Sequence, residues 1–532
     1  MDFIRNFPLF TIVFSLFSGV LCMMLPGKAA KYYTAAYECL LIFFSASVLW
    51  YTSVTGTSFT YVMGEFPAPW GNEIRGGVLE ALIALTFLIV MLCSAFAGWH
   101  FLVQDIDESK INLYFTLLNL LTAALMAMTW TNDIFTGYVF LEILTLTSCG
   151  LLIVREIGRT TLAAVRYMIL NLLGSGLFLL GVVLLYDITG HLLMMNMQGA
   201  IAEISKDSRQ MTTLTLSVGI LTIGLAIKSG LFPFHFWMPD TYGWATPTSA
   251  SVLSALVSKA YIFLLIKIYW RVIGIDVLDR MPIGKILCVL GMCGIIFGSV
   301  SAMRADNINR MTAFSSAAQI GYIYMGIGIG GMAGYTAAVF HILTHAVTKS
   351  LLFLSTPRLA EVSDGSLLFK KLQGSALRDR QAGAFFLVGS FSMIGIPIFA
   401  GFSSKLLFSL AAVDSGSNKK LILVMLVLAV SSLLNAMYFI RTIIRIYTHP
   451  QSAAAQALSS VTAGSAAAQG LAAGTAGSAA EVTSREKQRR ASGLRRPDYI
   501  IPSLVLIAAN LFLGLFSWAV VDLIERGFGM FF

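Results

Sequence analysis

The sequence predicts an all-α polytopic membrane protein of about 14 transmembrane helices, and three observations carry that prediction. Of its 532 residues, 57% are hydrophobic and only 12% charged, a balance that excludes an ordinary soluble enzyme. Apolar runs of about 20 residues recur from end to end, each long enough to cross a hydrocarbon core of about 30 Å as a helix. Two of the runs are interrupted by Gly and Pro beside a lysine, a device of transporter folds.

In order, the runs fall at 8–26, 34–54, 78–101, 112–130, 135–154, 164–186, 211–231, 248–270, 283–302, 312–330, 332–357, 382–411, 420–445 and 500–523. The first is expected to span rather than act as a signal peptide, because no small-residue cleavage site follows Pro26 and another run begins almost at once. The runs group into N-terminal helices 1–3 (residues 1–111), a first repeat of helices 4–8 (112–270) and a second, inverted repeat of helices 9–13 (283–445). A linker (446–499) and a C-terminal helix 14 (500–532) follow.

Cys22, Cys39, Cys93, Cys149, Cys288 and Cys293 all lie in apolar spans without a Cys-x-x-Cys pair, which points to packing rather than a metal site or disulfide framework. Lys28, Lys31, Arg155, Arg159, Arg304, Arg310, Lys370, Lys371, Arg378 and Arg380 fall in loops on one side. That side carries about twice the Lys/Arg of the other, which marks it as cytoplasmic and turns both termini outward, in a cell inner (plasma) membrane. The linker opens with an Ala/Ser/Gly-rich stretch at 453–480, read as a flexible insertion. It continues into the tract Arg485, Lys487, Arg489, Arg490, Arg495, Arg496, suited to anionic headgroups. The net charge of +9 does not indicate nucleic-acid binding, since no soluble domain presents it.

Ionisable residues inside the spans carry the functional reading, because a charge at mid-bilayer costs roughly 2.5–3.5 kcal/mol on insertion scales. Glu142 lies in helix 5, Lys228 in helix 7, Lys259 in helix 8, Lys349 in helix 11 and Lys405 in helix 12. Lys267, near the end of helix 8, is expected to snorkel to the interface as an anchor. A buried amine's affinity for its proton depends on whether a carboxylate stands beside it. A row of lysines next to a movable carboxylate can therefore relay protons; the alternative for Glu142 is a buried pair that only pins two helices together.

In helix 11, His341, His345 and Lys349 are spaced by four and share one helical face. Three ionisable groups in line favour a proton wire over packing, and no carboxylate or third imidazole lies nearby in sequence for a metal. Thr348 and Ser350 are placed to hold waters beside them. Helix 7 is interrupted at Gly230, Pro233 and Pro239 and helix 12 at Gly395, Pro397 and Gly401. Such breaks free backbone carbonyls that must face protein or water, and paired breaks point to an ion pathway between inverted repeats. The alternative is a pair of ordinary proline kinks.

Six stretches resemble one family: Phe140-Leu-Glu-Ile-Leu, Lys228 to Asp240, Ser254 to Lys259, Thr312-Ala-Phe-Ser-Ser-Ala-Ala-Gln-Ile-Gly, His341 to Lys349, and Gly395 to Lys405. The family is that of antiporter-like subunits shared by Mrp cation/proton antiporters, respiratory complex I and membrane-bound hydrogenases, and the resemblance covers about helices 3 to 13. It implies a Glu142–Lys228 pair, a hydrophilic axis of Lys259 and the helix-11 groups, and Lys405 at the end of the second half-channel. His235, in the broken helix 7, joins the proton-pathway set. Tyr242 stands where the family has a histidine, Thr246-Pro247-Thr248 where it has Pro-x-Pro, and Asn307 and Asn309 where it has an Asp and a Lys.

The function expected is that of a proton-translocating subunit of a multisubunit monovalent cation (sodium)/proton antiporter, the D-type Mrp subunit. The alternative is a proton-pumping subunit of a complex I-like NADH:quinone oxidoreductase or membrane-bound hydrogenase. An autonomous carrier of organic solutes fits less well, because the internal polar groups form a row rather than one pocket. No cofactor and no catalytic residue of its own is expected: the chain has no flavin or nicotinamide fingerprint and no cysteine cluster for an iron–sulfur centre, so redox work would belong to partners. The partners expected are other membrane subunits, protons, and sodium or potassium.

Overall fold

The computed structural model describes residues 2–66, 71–449 and 496–531. In chain order its principal helices are α1 (Phe7–Met24), α2 (Gly27–Thr55), α3 (Val78–Ala97), α4 (Ile111–Trp130), α5 (Ile134–Ile153), α6 (Gly158–Thr189) and α7 (Ser208–Ser229). They continue as α8 (Pro247–Ile273), α9 (Ile283–Arg304), α10 (Ile308–Ile329), α11 (Gly331–Glu361), α12 in two halves (Arg380–Ile394 and Ala400–Asp414), α13 (Asn418–Tyr447) and α14 (Pro497–Leu515). The Ala/Ser/Gly-rich insertion at 453–480 and the basic tract from Arg485 to Arg495 lie outside the described residues.

Among the described residues, 12 helical spans are long and apolar enough to cross a membrane. The exceptions are α10 and α12. Although α10 has 22 residues, Asn309, Arg310, Thr312, Ser315, Ser316 and Gln319 lower its hydropathy. It tolerates them because protein surrounds it and its polar side chains from Thr312 to Gln319 are buried. The other exception, α12, is cut into two 15-residue halves, each too short to cross alone.

At the centre, the membrane windows of α8 and α11 are wholly buried, while α1, α2, α6, α13 and α14 turn apolar side chains such as Phe17, Phe43, Leu173, Ile422 and Ile501 outward, as lipid-facing helices do. Lipid provides no hydrophobic drive between helices, so close packing relies on small residues. Between α9 and α10, a Cβ added at Gly291 would lie 2.6 Å from the Met325 nitrogen, and one at Gly328 would lie 2.3 Å from that of Cys288. Only glycine allows the two backbones this close.

Two features depart from the expected helices. A two-stranded antiparallel hairpin, β1 (Phe59–Val62) and β2 (Glu73–Gly76), joins α2 to α3. The C-terminal run is not one helix: α14 ends at Leu515, and Ser517–Gly529 form a separate amphipathic helix, with Val520, Ile524 and Phe528 buried. Asp522 and Arg526 pair on it at 2.7 Å, so its charged face limits how far the apolar run can continue.

Lys267 requires a correction. It is not an interfacial anchor but fully buried, donating to the carbonyls of Thr129 (2.9 Å) and Thr131 (2.6 Å) and lying 3.9 Å from Glu80. Glu80, also fully buried, pairs with Arg75 of β2 at 2.6 Å. Arg75 in turn donates to the Met530 carbonyl, and the buried Arg271 donates to Asn132 Oδ1 at 2.9 Å. The lysine stays inside because the carbonyls at the end of α4 and a buried carboxylate satisfy it there, so no snorkelling is needed. Removing a carboxylate from among three buried cations leaves charge uncompensated. Glu80→Ala is therefore expected to lower stability by about 3–5 kcal/mol, read as earlier loss of monodisperse protein on heating in detergent; an unchanged midpoint would refute a structural role for this cluster.

Candidate functional site

Glu142 and Lys228 meet where α5 and the end of α7 pack. Asp133 caps α5 by accepting from the Thr136 amide at 2.6 Å, which sets Glu142 two turns along the helix. Lys228 stands in the last turn of α7, which Gly230 terminates in the left-handed region at φ +78°, a conformation that favours glycine. Lys228 Nζ lies 3.8 Å from Glu142 Oε1 and donates to Thr145 Oγ1 at 2.7 Å. The Tyr261 ring lies 5.4 Å from the ammonium, and the Tyr261 hydroxyl meets Thr145 at 3.2 Å. The lysine side chain is fully buried and that of the glutamate is 23% exposed. The pair is thus attractive but too long for a direct hydrogen bond, and the lysine's one protein hydrogen bond goes to a hydroxyl.

Beyond it, α8 is not a regular helix. Its first π-helical stretch is Leu253–Val257, and Lys259 donates to the Ser254 carbonyl there; π segments of this kind recur at functional sites. Ser254 Oγ meets Ser316 Oγ of α10 at 2.9 Å. One turn away on α10, the Thr312 carbonyl accepts from Lys349 at 2.8 Å and Ser315 Oγ also contacts that lysine. Lys259 lies within electrostatic reach of Lys349, His345 and His341. The two imidazoles are 6.1 Å apart, centroid to centroid. His341 Nδ1 meets Ser404 Oγ at 2.7 Å, one residue before Lys405. Among the described residues, neither nitrogen of His345 has a hydrogen-bond partner. A set of ionisable groups thus runs from Lys259 through α11 to Lys405, buried as far as His341 and half-buried at Lys405.

Lys405 donates to the Ile394 carbonyl at 2.6 Å and to Ser432 Oγ at 3.0 Å, closing the end of the first half of α12. Gly395 leaves that half at φ +91°. Gly401 lies in the first turn of the second half, where an added Cβ would fall 1.7 Å from the Ser392 carbonyl oxygen. Pro397 lies in the turn between the halves. The α7 interruption is narrower than the sequence indicates: Gly230 to Pro233 form the break, while Pro239 sits in the first turn of the next helix, Met238–Trp244, where a missing N–H costs nothing. His235 lies on the short 3₁₀ turn Phe234–Trp237, and among the described residues no hydrogen bond or ion pair joins it to the lysines.

Several contributors were not singled out from the sequence. Asn510 of α14 donates to Thr348 Oγ1 (2.7 Å) and Ser392 Oγ (3.0 Å), and its Oδ1 accepts from the Ala400 amide at 3.4 Å. A helix that is remote in sequence therefore caps the broken α12. Thr348, read as a water-holding residue, spends its hydroxyl on this network, and Ser350 joins Ser94 and Ser251 in a triangle of hydroxyls 2.8–3.0 Å apart. A lone Asn in the run 500–523 was the available signal; the serine triangle had none.

This geometry extends across the stretch that matches known proteins. Residues 131–434 match the family described as NADH:quinone oxidoreductase/Mrp antiporter, TM, which is more than half of the chain. The chain belongs to this family. Among relatives, it is 30% identical over 455 residues to the N-type subunit of an NADH-quinone oxidoreductase of Desulforudis audaxviator, covering 83% of this chain and 86% of the relative. It is 24% identical over 448 residues to the D-type subunit of the Na(+)/H(+) antiporter of Bacillus subtilis, covering 84% and 87%. Its fold is similar to a chain of the Mrp complex from Dietzia sp., with TM-score 0.81, 23% identity, and 99% and 97% of the two chains covered. The membrane-bound sulfane sulfur reductase, an archaeal respiratory membrane complex, contains a chain similar at TM-score 0.73 and 24% identity, over 96% and 99%. In this NADH:quinone oxidoreductase/Mrp antiporter chain, the matched residues hold both helix breaks and every candidate residue from Glu142 to Lys405, whereas Asn510 lies outside them. Asn510→Leu is expected to cost about 1–3 kcal/mol by leaving buried polar groups unpaired, measured as a lower thermal midpoint; a midpoint equal to wild type would remove α14 from the support of the break.

Proposed function

We propose that this chain is the proton-translocating subunit of a multisubunit sodium (or other monovalent cation)/proton antiporter. The observation that carries the reading is the row of buried Lys259, Lys349, His345 and His341 leading to half-buried Lys405, flanked by a Glu142–Lys228 pair held at 3.8 Å rather than locked in a hydrogen bond. A pair at that separation can part without breaking a direct bond. When it parts, Lys228 loses the carboxylate that favours its charged form, and its proton moves toward Lys259. The α11 histidines, whose ordinary titration lies near neutrality, carry it on to Lys405. Partner subunits would supply the cation step that separates the pair. The similarity to the D-type antiporter subunit and to a chain of an Mrp complex supports this reading. We further propose a cell inner membrane location with the Lys/Arg-rich loop end cytoplasmic and both termini outside.

A second reading is favoured by the relative that shares 30% of aligned residues, an NADH-quinone oxidoreductase subunit: the same relay driven by electron transfer in a complex I-like or hydrogenase assembly. Everted vesicles carrying the native complex separate the two. Sodium- or potassium-driven proton movement without a reductant is the expected result, falling at least about tenfold in Glu142→Ala and Lys228→Ala variants that still assemble, as loss of about 1.4 kcal/mol of coupling would give. Flux only with NADH, ferredoxin or hydrogen would establish the redox reading. Normal transport in both variants would sink the relay itself.

A further inference from the structure

At the cytosol-assigned end, away from the lysine row, a cavity of about 630 Å³ opens between the end of α9, the residues after α11 and the last turns of α13. Arg304, Lys370, Arg441 and Arg445 line it, with Asp306 as its carboxylate and Phe369 in its wall. The chain holds these cations together by backbone pairing. Ile308 N donates to the Leu367 carbonyl and Phe369 N to the Asp306 carbonyl, each at 3.1 Å, so Lys370 is fixed beside the end of α9. The Arg445 guanidinium stacks 5.3 Å from the centre of the Phe369 ring, and its carbonyl accepts from Gly374 N at 3.2 Å. Among the described residues, no ion pair joins any of the four cations to a carboxylate. Arg304, Lys370 and Arg441 are exposed and Arg445 is half-buried, so the cluster carries an excess of positive charge that an entering anion can reach and complement.

A second hollow shares Arg441 and Arg445 with the first. It is a groove of about 550 Å³ along α13, lined by Leu433, Met437, Ile440 and Ile444 and again by Arg441 and Arg445. The apolar four are 44–63% exposed and recur at helical spacing on one face, which ends in the two arginines four residues apart. Along one helix, therefore, an open apolar track leads into a cationic chamber at the end of the membrane span. Free phosphate would use only the chamber, and a soluble acidic protein would have no use for the track. A molecule with a phosphate at one end and an acyl chain at the other uses both.

We propose that this is a binding site for an anionic phospholipid, its phosphate held by Arg304, Arg441 and Arg445 and one acyl chain lying along Leu433 to Ile444. Basic pockets between membrane helices on the cytoplasmic side recognise such headgroups. The test is native mass spectrometry of the full chain, purified in detergent and stripped of lipid, titrated with phosphatidylglycerol, phosphatidylcholine or inorganic phosphate. Phosphatidylglycerol is expected to give the persistent adduct, weakened about fivefold by Arg441→Gln or Arg445→Gln, in line with the contribution of one basic residue at a membrane surface. Ile440→Trp, on the lipid-facing side and remote from the core, fills the groove and is expected to weaken phosphatidylglycerol while leaving the cations intact. Equal retention of phosphatidylcholine, binding unchanged in both an arginine variant and Ile440→Trp, or displacement of phosphatidylglycerol by millimolar phosphate would each overturn the assignment.

Discussion

Inside a bilayer, every carbonyl that a helix releases needs a donor, and at several irregular points of this chain a lysine is one of the donors. Lys405 closes the carbonyl of Ile394, where α12 breaks; Lys259 closes that of Ser254, where α8 turns π-helical; and Lys267 closes those of Thr129 and Thr131, where α4 ends, while Lys349 shares the Thr312 carbonyl of the unbroken α10 with the Ser315 and Ser316 hydroxyls. The irregular backbone and the buried ammoniums depend on each other. A kink without its lysine would expose an unsatisfied carbonyl, and a lysine without its carbonyl would be a bare charge in low dielectric. Lys228 differs from these, since its hydrogen bond goes to the Thr145 hydroxyl and its charge partner stands 3.8 Å away.

That difference divides the buried charges into two kinds. The cluster of Arg75, Glu80, Lys267 and Arg271 is tied to backbone, to Asn132 and to the C-terminal segment through Met530, as a structural network would be. The row from Lys259 to Lys405 touches hydroxyls as well as carbonyls, and it includes His345, a residue with both ring nitrogens unpartnered among the described residues. Hydroxyls both accept and donate, which is the chemistry the proposed relay requires of this row and which the other cluster, tied to carbonyls and an amide, lacks. The stretch matched by the NADH:quinone oxidoreductase/Mrp antiporter family takes in the whole row together with Lys267 and Arg271, while Arg75, Glu80 and the C-terminal segment lie outside it.

Much of this was legible in the chain because bilayer thickness is a hard ruler: apolar runs of about 20 residues have few alternatives to a spanning helix. The Gly–Pro interruptions beside Lys228 and Lys405 were legible for a similar reason, since neither residue type continues a helix freely. The misplacement of Lys267 was equally physical. Its position near the end of a run fits snorkelling, and nothing local reveals that Glu80, far away in sequence, and the end of α4 converge on it. The linker at 453–480, also singled out from composition, lies outside the described residues.

Composition and spacing were therefore sufficient for the helices, their two main breaks and the shared face of His341, His345 and Lys349, because these depend on the residues' own backbone preferences and on a period of 3.6. Beyond the Glu142–Lys228 pair that the family resemblance implies, which partner each charge meets and at what distance was settled only by the tertiary structure. The 3.8 Å Glu142–Lys228 separation, the Asn510 cap on α12, the serine triangle and the burial of Lys267 all join residues more than 80 positions apart. Such pairings follow from how helices pack against one another, and helix packing is set by close-fitting small residues such as Gly291 and Gly328, whose neighbours no local pattern names.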